Sequence, residues 1–403
     1  MAAAEKMLTD ESRAPVRTIG DRVTETRGRT TGFDVLRIAL AITVLSWHSL
    51  YSTYGWDNWI WHSHKTRSFP SLILPMFFAL SGFLVAGSLV RTKSLSSFMT
   101  LRMMRLLPAL FVEVCLSALI LGPLVTTLPL GEYFRGQAFW NYWFNIVGYI
   151  HYQLPGVFES NPAHGIVNIS LWTVPFELEC YLALMAISIC GLVPRLRALF
   201  WVLIAAWIGI TAYELLTADL DMAQWARPAG RLLVVCFLGG LGLFIYRDYV
   251  PLNRRWFVVS LGLTIIFLAR ADTAFLAALP AAYVTVYIGL MNLPRIPVLM
   301  GGDYSYGIYL YAFPIQQTYV WLDPLSWSAW TAPYDHVWWT NILMALPCTL
   351  AFAMFSWHVI EKPVLSRKAV VLALVERIRL ALVSWVPVPA VREPMRSNPA
   401  RTD

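Results

Sequence analysis

Three sets of ionisable residues interrupt the most apolar stretches of this chain. Arg37 and His48 lie eleven positions apart in the run from Gly32 to His48. At about 100° per residue they fall about 20° past three full turns, on one helix face and about 16 Å apart along the axis. Asp34 lies one turn before Arg37 and can pair with it. His48 titrates near neutrality, which suits proton transfer. Glu177 follows in the segment Asn168 to Tyr181. Entering from the far side, it lies about 10 Å deep by helical rise, level with His48, and is expected to orient or charge-stabilise the imidazole. Arg102 and Arg105, at i and i+3 before Pro108, share a face near a helix N-terminus, an arrangement that suits a phosphate-bearing ligand. Charge bias between loops would also account for that pair.

Charges in such surroundings are costly only if the surroundings are lipid. Of 403 residues, 58% are hydrophobic and 14% charged, against about 25% charged in soluble domains. A soluble fold could not cover itself with so little polar surface. A bilayer core of about 30 Å takes roughly 20 apolar residues per helix. On that template the chain reads as all-α, with about ten transmembrane helices near 33–52, 70–90, 106–128, 170–192, 198–216, 230–246, 256–271, 273–291, 303–322 and 339–360. Of the 31 Lys and Arg, 24 fall in the two termini and alternate loops on one side, which makes both N- and C-termini cytoplasmic. The net charge of +7 follows from this bias and is spread over several loops. It therefore gives no sign of nucleic-acid binding.

The expected organisation is a cytoplasmic arm (1–32), a ten-helix membrane domain (33–361) and a cytoplasmic tail (362–403). No apolar leader precedes the first span, so that span is expected to stay in the mature protein. Glu376, Arg377 and Arg379 break the apolar stretch of the tail, so it is expected to lie on the membrane surface as an amphipathic helix. The outer loop 129–169 is rich in aromatics and forms either a lid or an aromatic belt. Glu179 points away from Glu177, Glu113 is a structural carboxylate, and His358 and Glu361 form an interfacial network beside Lys362. The five cysteines read as buried hydrophobes. His62, His64, His151, His164 and His336 lack metal-ligand spacing, so no metal is expected.

Six motifs in order resemble the integral-membrane acyltransferase family three, the bacterial glycan and antibiotic O-acyltransferases. They are the Arg37–His48 spacing, Pro75 to Phe83, Arg102 to Arg105, Asn168 to Glu177, Gly302 to Leu310 and Trp357 to Pro363. The resemblance covers all ten spans and implies a multi-pass protein of the bacterial inner membrane. It would move an acyl group, acetyl by default, from cytoplasmic acyl-CoA to a hydroxyl of a glycan or lipid-linked saccharide. Arg37, Arg102 and Arg105 would bind the coenzyme A head. His48 would be the general base or an acyl carrier, and Glu177 and Arg37 would complete the catalytic set. Ala312 stands where many relatives carry a histidine, so no role transfers there. Without the soluble esterase-like domain of some relatives, this chain is expected to work alone or with a separate partner. Membrane lipid surrounds it, and a homo-oligomer stays open. The rival class is a proton-coupled transporter or flippase, against which stands the lack of an inverted repeat in the motif order.

Overall fold

The computed structural model describes residues 17–28, 30–55, 67–91, 94–217, 230–294, 296–297, 301–322 and 337–384. His62, His64, His336 and the end of the tail lie outside them. Among the described residues the fold is all-helical, with a single isolated bridge between Thr18 and Pro251. In chain order the helices are α1 (Ile19–Glu25), α2 (Thr31–Tyr54), α3 (Ser68–Arg91), α4 (Leu95–Leu116), α5 (Gly122–Val125), α6 (Leu130–Arg135), α7 (Gln137–Tyr142) and α8 (Val174–Ile189). Then follow α9 (Leu196–Thr217), α10 (Gly230–Ile245), α11 (Arg254–Leu268), α12 (Ala278–Gly289), α13 (Ser305–Leu322), α14 (Val337–Phe355), α15 (Lys362–Ser366) and α16 (Lys368–Ser384).

Each expected span is helical over most of its length. Among the described residues, six stretches are long and apolar enough to cross a membrane: Thr31–Tyr54, Ser68–Arg91, Leu95–Val125, Ile169–Ile189, Leu196–Thr217 and Trp338–Ser366. The others fall short for a physical reason. Helix α10 has 16 residues, about 24 Å of rise, and 11 of them are buried in protein. Helix α13 carries Gln316 and Gln317, both fully buried, and their amide N–H groups donate to neighbouring segments, whereas Gln316 Oε1 has no hydrogen-bond partner among the described residues. Gln317 donates to Ala163 O and Ile166 O, and Gln316 to Leu45 O.

Hydrogen bonds sort the connections onto two ends. At the start of α2, Gly32 N donates to Met291 O, and α1 docks on the α10–α11 connection through Ile19 N to Val250 O and Gly20 N to Arg247 O. The arm is thus partly folded onto the bundle, with Thr18 and Asp21 closing a capping box. At the other end of α2, Ser49 Oγ donates to Trp338 O, and Arg67 donates to Leu268 O beside the α11–α12 hairpin. In that hairpin the hydrogen bond from Arg270 holds the Asp272 carboxyl below its ordinary range.

The centre is built on close helix approach. A Cβ at Gly82 (α3) would lie 2.0 Å from Phe237 O, and one at Gly240 (α10) 2.0 Å from Ala79 O. Only glycine lets these backbones touch, the packing expected where lipid supplies no hydrophobic drive between helices. The 129–169 loop is a packed cap: Tyr133, Phe139, Tyr142 and Phe158 are buried with residues of α4 and α13, whereas Phe134, Trp140, Phe144 and Tyr149 are exposed. Helix α16 packs against α4 and leaves Val370, Leu374 and Ile378 exposed at four-residue spacing, an apolar stripe on one face.

Candidate functional site

Two arginines tie four segments together at one end of the bundle. Arg37 on α2 pairs with Asp34 (Nη2–Oδ1, 2.6 Å) and with Asp303 just before α13 (Nη1–Oδ2, 3.0 Å). Arg105 on α4 pairs with the same Asp303 oxygen at 2.6 Å and with Glu361 at 2.9 Å. Ser305 Oγ donates to the other Asp303 oxygen. Glu361 is 1% exposed because Ser356–Glu361 forms a π-helical turn, a widening that redirects side chains and often marks a functional site. Ser356 Oγ donates to Glu361, and the Arg105 guanidinium lies 5.4 Å from the Trp357 ring centroid. The expected interfacial network of His358 and Glu361 divides in two: Glu361 turns inward to Arg105, and His358 Nε2 lies 3.2 Å from Tyr304 OH.

Arg102 differs from these two. It donates to Ser88 Oγ at 3.4 Å and lies 5.8 Å from the Phe98 ring centroid, and its Nε has no partner. Among the described residues no carboxylate lies within ion-pair distance of it, whereas Arg37 and Arg105 share three between them. Arg102 is thus the one of the three arginines whose charge no carboxylate balances at contact distance.

Arg37, Arg102 and Arg105 line one cavity of about 200 Å³ that runs between α3, α4, α8 and α13. Ser81, Glu177, Tyr306 and Tyr309 form its walls, and Ser170 and Thr173 close its far end. Thr173 and Ser170 lie in the 3-10 turn Ile169–Thr173 that leads into α8, with Pro175 in the first turn of that helix. Asn168 caps the turn by accepting from Ser170 N at 3.0 Å. Its amide donates to Glu113 Oε1 at 2.8 Å and to Leu310 O at 2.9 Å. Ser117 Oγ also donates to Glu113, so that carboxylate is a structural anchor, as expected. Ser170 O accepts from Tyr309 OH at 3.0 Å. Ser170 Oγ stands 3.5 Å from His48 Nδ1, and the imidazole meets Phe313 edge-on at 5.5 Å.

The expected contact between Glu177 and His48 is absent. Glu177 accepts from Tyr181 OH and faces the cavity on the arginine side, within electrostatic range of Arg105 and Arg102. Helical rise sets the depth of Glu177 but not the direction of its side chain, and Tyr181, one turn on, holds the carboxylate in the cavity. Glu179 points elsewhere, as expected, and pairs with Arg231 at 3.4 Å. Among the described residues no cluster of three metal-ligating side chains occurs, and the five cysteines are free.

Asp303, Glu361 and Ser170 belong to the site and were not singled out by charge in an apolar run. Asp303 and Glu361 sit at span ends where a carboxylate is cheap, and Ser170 is an uncharged residue at the start of the expected span 170–192. Their one signal is membership of the segments Gly302 to Leu310, Trp357 to Pro363 and Asn168 to Glu177.

A family model described as an acyltransferase domain matches residues 30–361. Nodulation protein 10 of Rhizobium leguminosarum bv. viciae is 28% identical over 373 residues, covering 86% of this chain and 96% of that protein. An O-acetyl transferase of Shigella phage Sf6 is 25% identical over 357 residues, covering 85% of this chain and 98% of that protein. No solved structure matches the chain.

Proposed function

The chain belongs to this acyltransferase family, and from that membership we propose that it is a multi-pass O-acetyltransferase of the bacterial inner membrane. The donor is cytoplasmic acetyl-CoA. The acceptor is a hydroxyl of a glycan or lipid-linked saccharide presented on the opposite face. One observation carries the reading: a single cavity joins the three arginines to the Ser170–His48 contact.

The two-ended arrangement supports a reading of ten crossings with both termini in the cytoplasm. The loops that gather near Gly32, Arg247 and Asp303 hold most of the Lys and Arg, as the positive-inside rule requires. The arginine cluster then faces the cytoplasm, where the anionic coenzyme A head is available. Arg102 offers the unpaired charge, and Arg37 and Arg105 are held in place by Asp34, Asp303 and Glu361. The acyl-bearing arm lies along the cavity, about 16 Å from Arg37 to His48 by helical rise. His48 removes the acceptor proton as the ester forms, and its partial exposure leaves room for an acceptor beside it. Glu177, which lines the cavity on the arginine side, balances their charge before the donor arrives.

The test is acetyl transfer by the purified protein in detergent. Wild type with acetyl-CoA and membrane saccharide extract should form acetyl ester and release coenzyme A. His48→Ala should lose about 10²- to 10⁴-fold, the usual contribution of a general base. A proton-coupled carrier would show neither product, and His48→Ala retaining wild-type transfer would remove the base role.

A further inference from the structure

His48 does not line the cavity. Ser170 does, and it is the residue through which the imidazole meets that space, Oγ to Nδ1 at 3.5 Å. An acyl donor that fills the cavity from the arginine end therefore reaches the Ser170 hydroxyl before any imidazole nitrogen. The backbone of Ser170 is fully committed. Its N–H donates to Asn168, and its carbonyl accepts from Thr173 Oγ1 at 3.3 Å and from Tyr309 OH at 3.0 Å. Its hydroxyl is not. Other hydroxyls in these helices turn back onto the carbonyl four residues earlier, as Thr43, Ser46, Ser188 and Thr264 do at 2.7–2.9 Å. Ser170 Oγ instead points at a histidine. A hydroxyl held beside an imidazole, with its backbone clamped on both sides, is the arrangement of an activated nucleophile. The looseness of 3.5 Å is usual before substrate closes such a site.

We infer that Ser170 is the acyl carrier of the reaction, forming an acetyl-serine with His48 as its base; this rests on the acetyltransferase reading above. In the first half, Ser170 Oγ bonds to the thioester carbonyl carbon while its proton passes to His48 Nδ1. The carbon–sulfur bond breaks, and the departing thiolate takes that proton to leave as coenzyme A thiol. In the second half, the acceptor oxygen bonds to the same carbonyl carbon and gives its proton to His48. The ester bond to Ser170 breaks, and the proton returns to Oγ. No oxidant, reductant or metal enters the balance. The carrier converts one transfer over a long distance into two short ones. The donor is met from the cavity and the acceptor from the His48 side.

The test is exchange without acceptor. An acyl-enzyme lets purified protein exchange labelled coenzyme A into acetyl-CoA when no saccharide is present, which direct transfer cannot do. Wild type should show this exchange, and acid-quenched, digested protein should carry one acetyl group on the peptide that holds Ser170. Ser170→Ala should lose exchange and transfer by at least about 10²-fold. Ser170→Cys, nearly the same shape, keeps the fold and should carry the acetyl as a thioester released by neutral hydroxylamine. The inference is overturned if Ser170→Ala keeps more than a tenth of wild-type transfer, or if the acetyl group is recovered on His48. Wild type that transfers acetyl yet shows no exchange overturns it as well. Wild type that transfers no acetyl overturns the proposed function, and this inference with it.

Discussion

Arg37 and Arg105, on α2 and α4, meet on a single carboxylate oxygen: Oδ2 of Asp303 lies 3.0 Å from one guanidinium and 2.6 Å from the other. Side-chain exposures of 23–27% leave all three groups mostly out of water. One carboxylate thereby fixes the distance between two cations that would otherwise repel.

Asp303→Asn should therefore unfold at lower temperature. Losing one partner of a buried pair costs about 3–5 kcal/mol, and about 1–3 kcal/mol fits these partly wet groups. The double variant Arg37→Ala/Asp303→Asn should lose less than the two single losses added, because the residues are coupled. Thermal unfolding in detergent reads both. Additive losses would mean that the shared oxygen carries no coupling.

Arg102→Ala should separate binding from stability. With no carboxylate to release, its loss should leave the unfolding midpoint near wild type. It should raise the KM for acetyl-CoA about 10- to 100-fold, as expected for losing a charged hydrogen bond of about 1.5–3 kcal/mol. Arg105→Ala should both lower the unfolding midpoint and raise KM, since it strands Glu361, which is 1% exposed. If Arg102→Ala leaves KM unchanged, the charge serves topology alone.

Asn168→Ala should strike the far end of the cavity. Its side chain satisfies Ser170 N, Glu113 and Leu310 O together. Stranding buried polar groups costs about 1–3 kcal/mol each. The 3-10 turn should slacken, lowering kcat while leaving the KM for acetyl-CoA near wild type. A variant with higher KM and intact kcat would place Asn168 in donor binding instead.

Gly240→Val should fail to give folded protein, because even its Cβ would sit 2.0 Å from Ala79 O. Size-exclusion profiles and unfolding midpoints check this. A well-behaved Val variant would mean that the α3–α10 approach is not tight.

How much of this was legible in the sequence follows from what lipid does and does not constrain. Apolar runs mark the exposed α9 and the mostly buried α3 equally well. They also mark α13, expected over 303–322 and found over Ser305–Leu322, but not that Gln316 and Gln317 within it donate to Leu45, Ala163 and Ile166 of neighbouring segments. Arg37 and His48 stand out because a charge in an apolar run needs a reason. Asp303 does not, since it precedes its helix in a polar turn. Spacing places Glu177 level with His48 but says nothing of which way its side chain points, and its contact with Tyr181 turns it to the cavity. Ser170 is invisible to charge and period alike, and only three-dimensional contact reveals it beside His48.

The central claim is that donor and acceptor use opposite ends of one cavity, with the acyl group passing from the Arg102 end to the His48 end. Sealed vesicles of known orientation test it most directly, with acetyl-CoA on one face and acceptor saccharide only on the other. Acetyl-CoA on the cytoplasmic face should acetylate acceptor confined to the opposite face, Arg102→Ala should weaken that transfer through KM, and acetyl-CoA on the outer face should give none. Transfer that requires donor and acceptor on the same face would contradict the account.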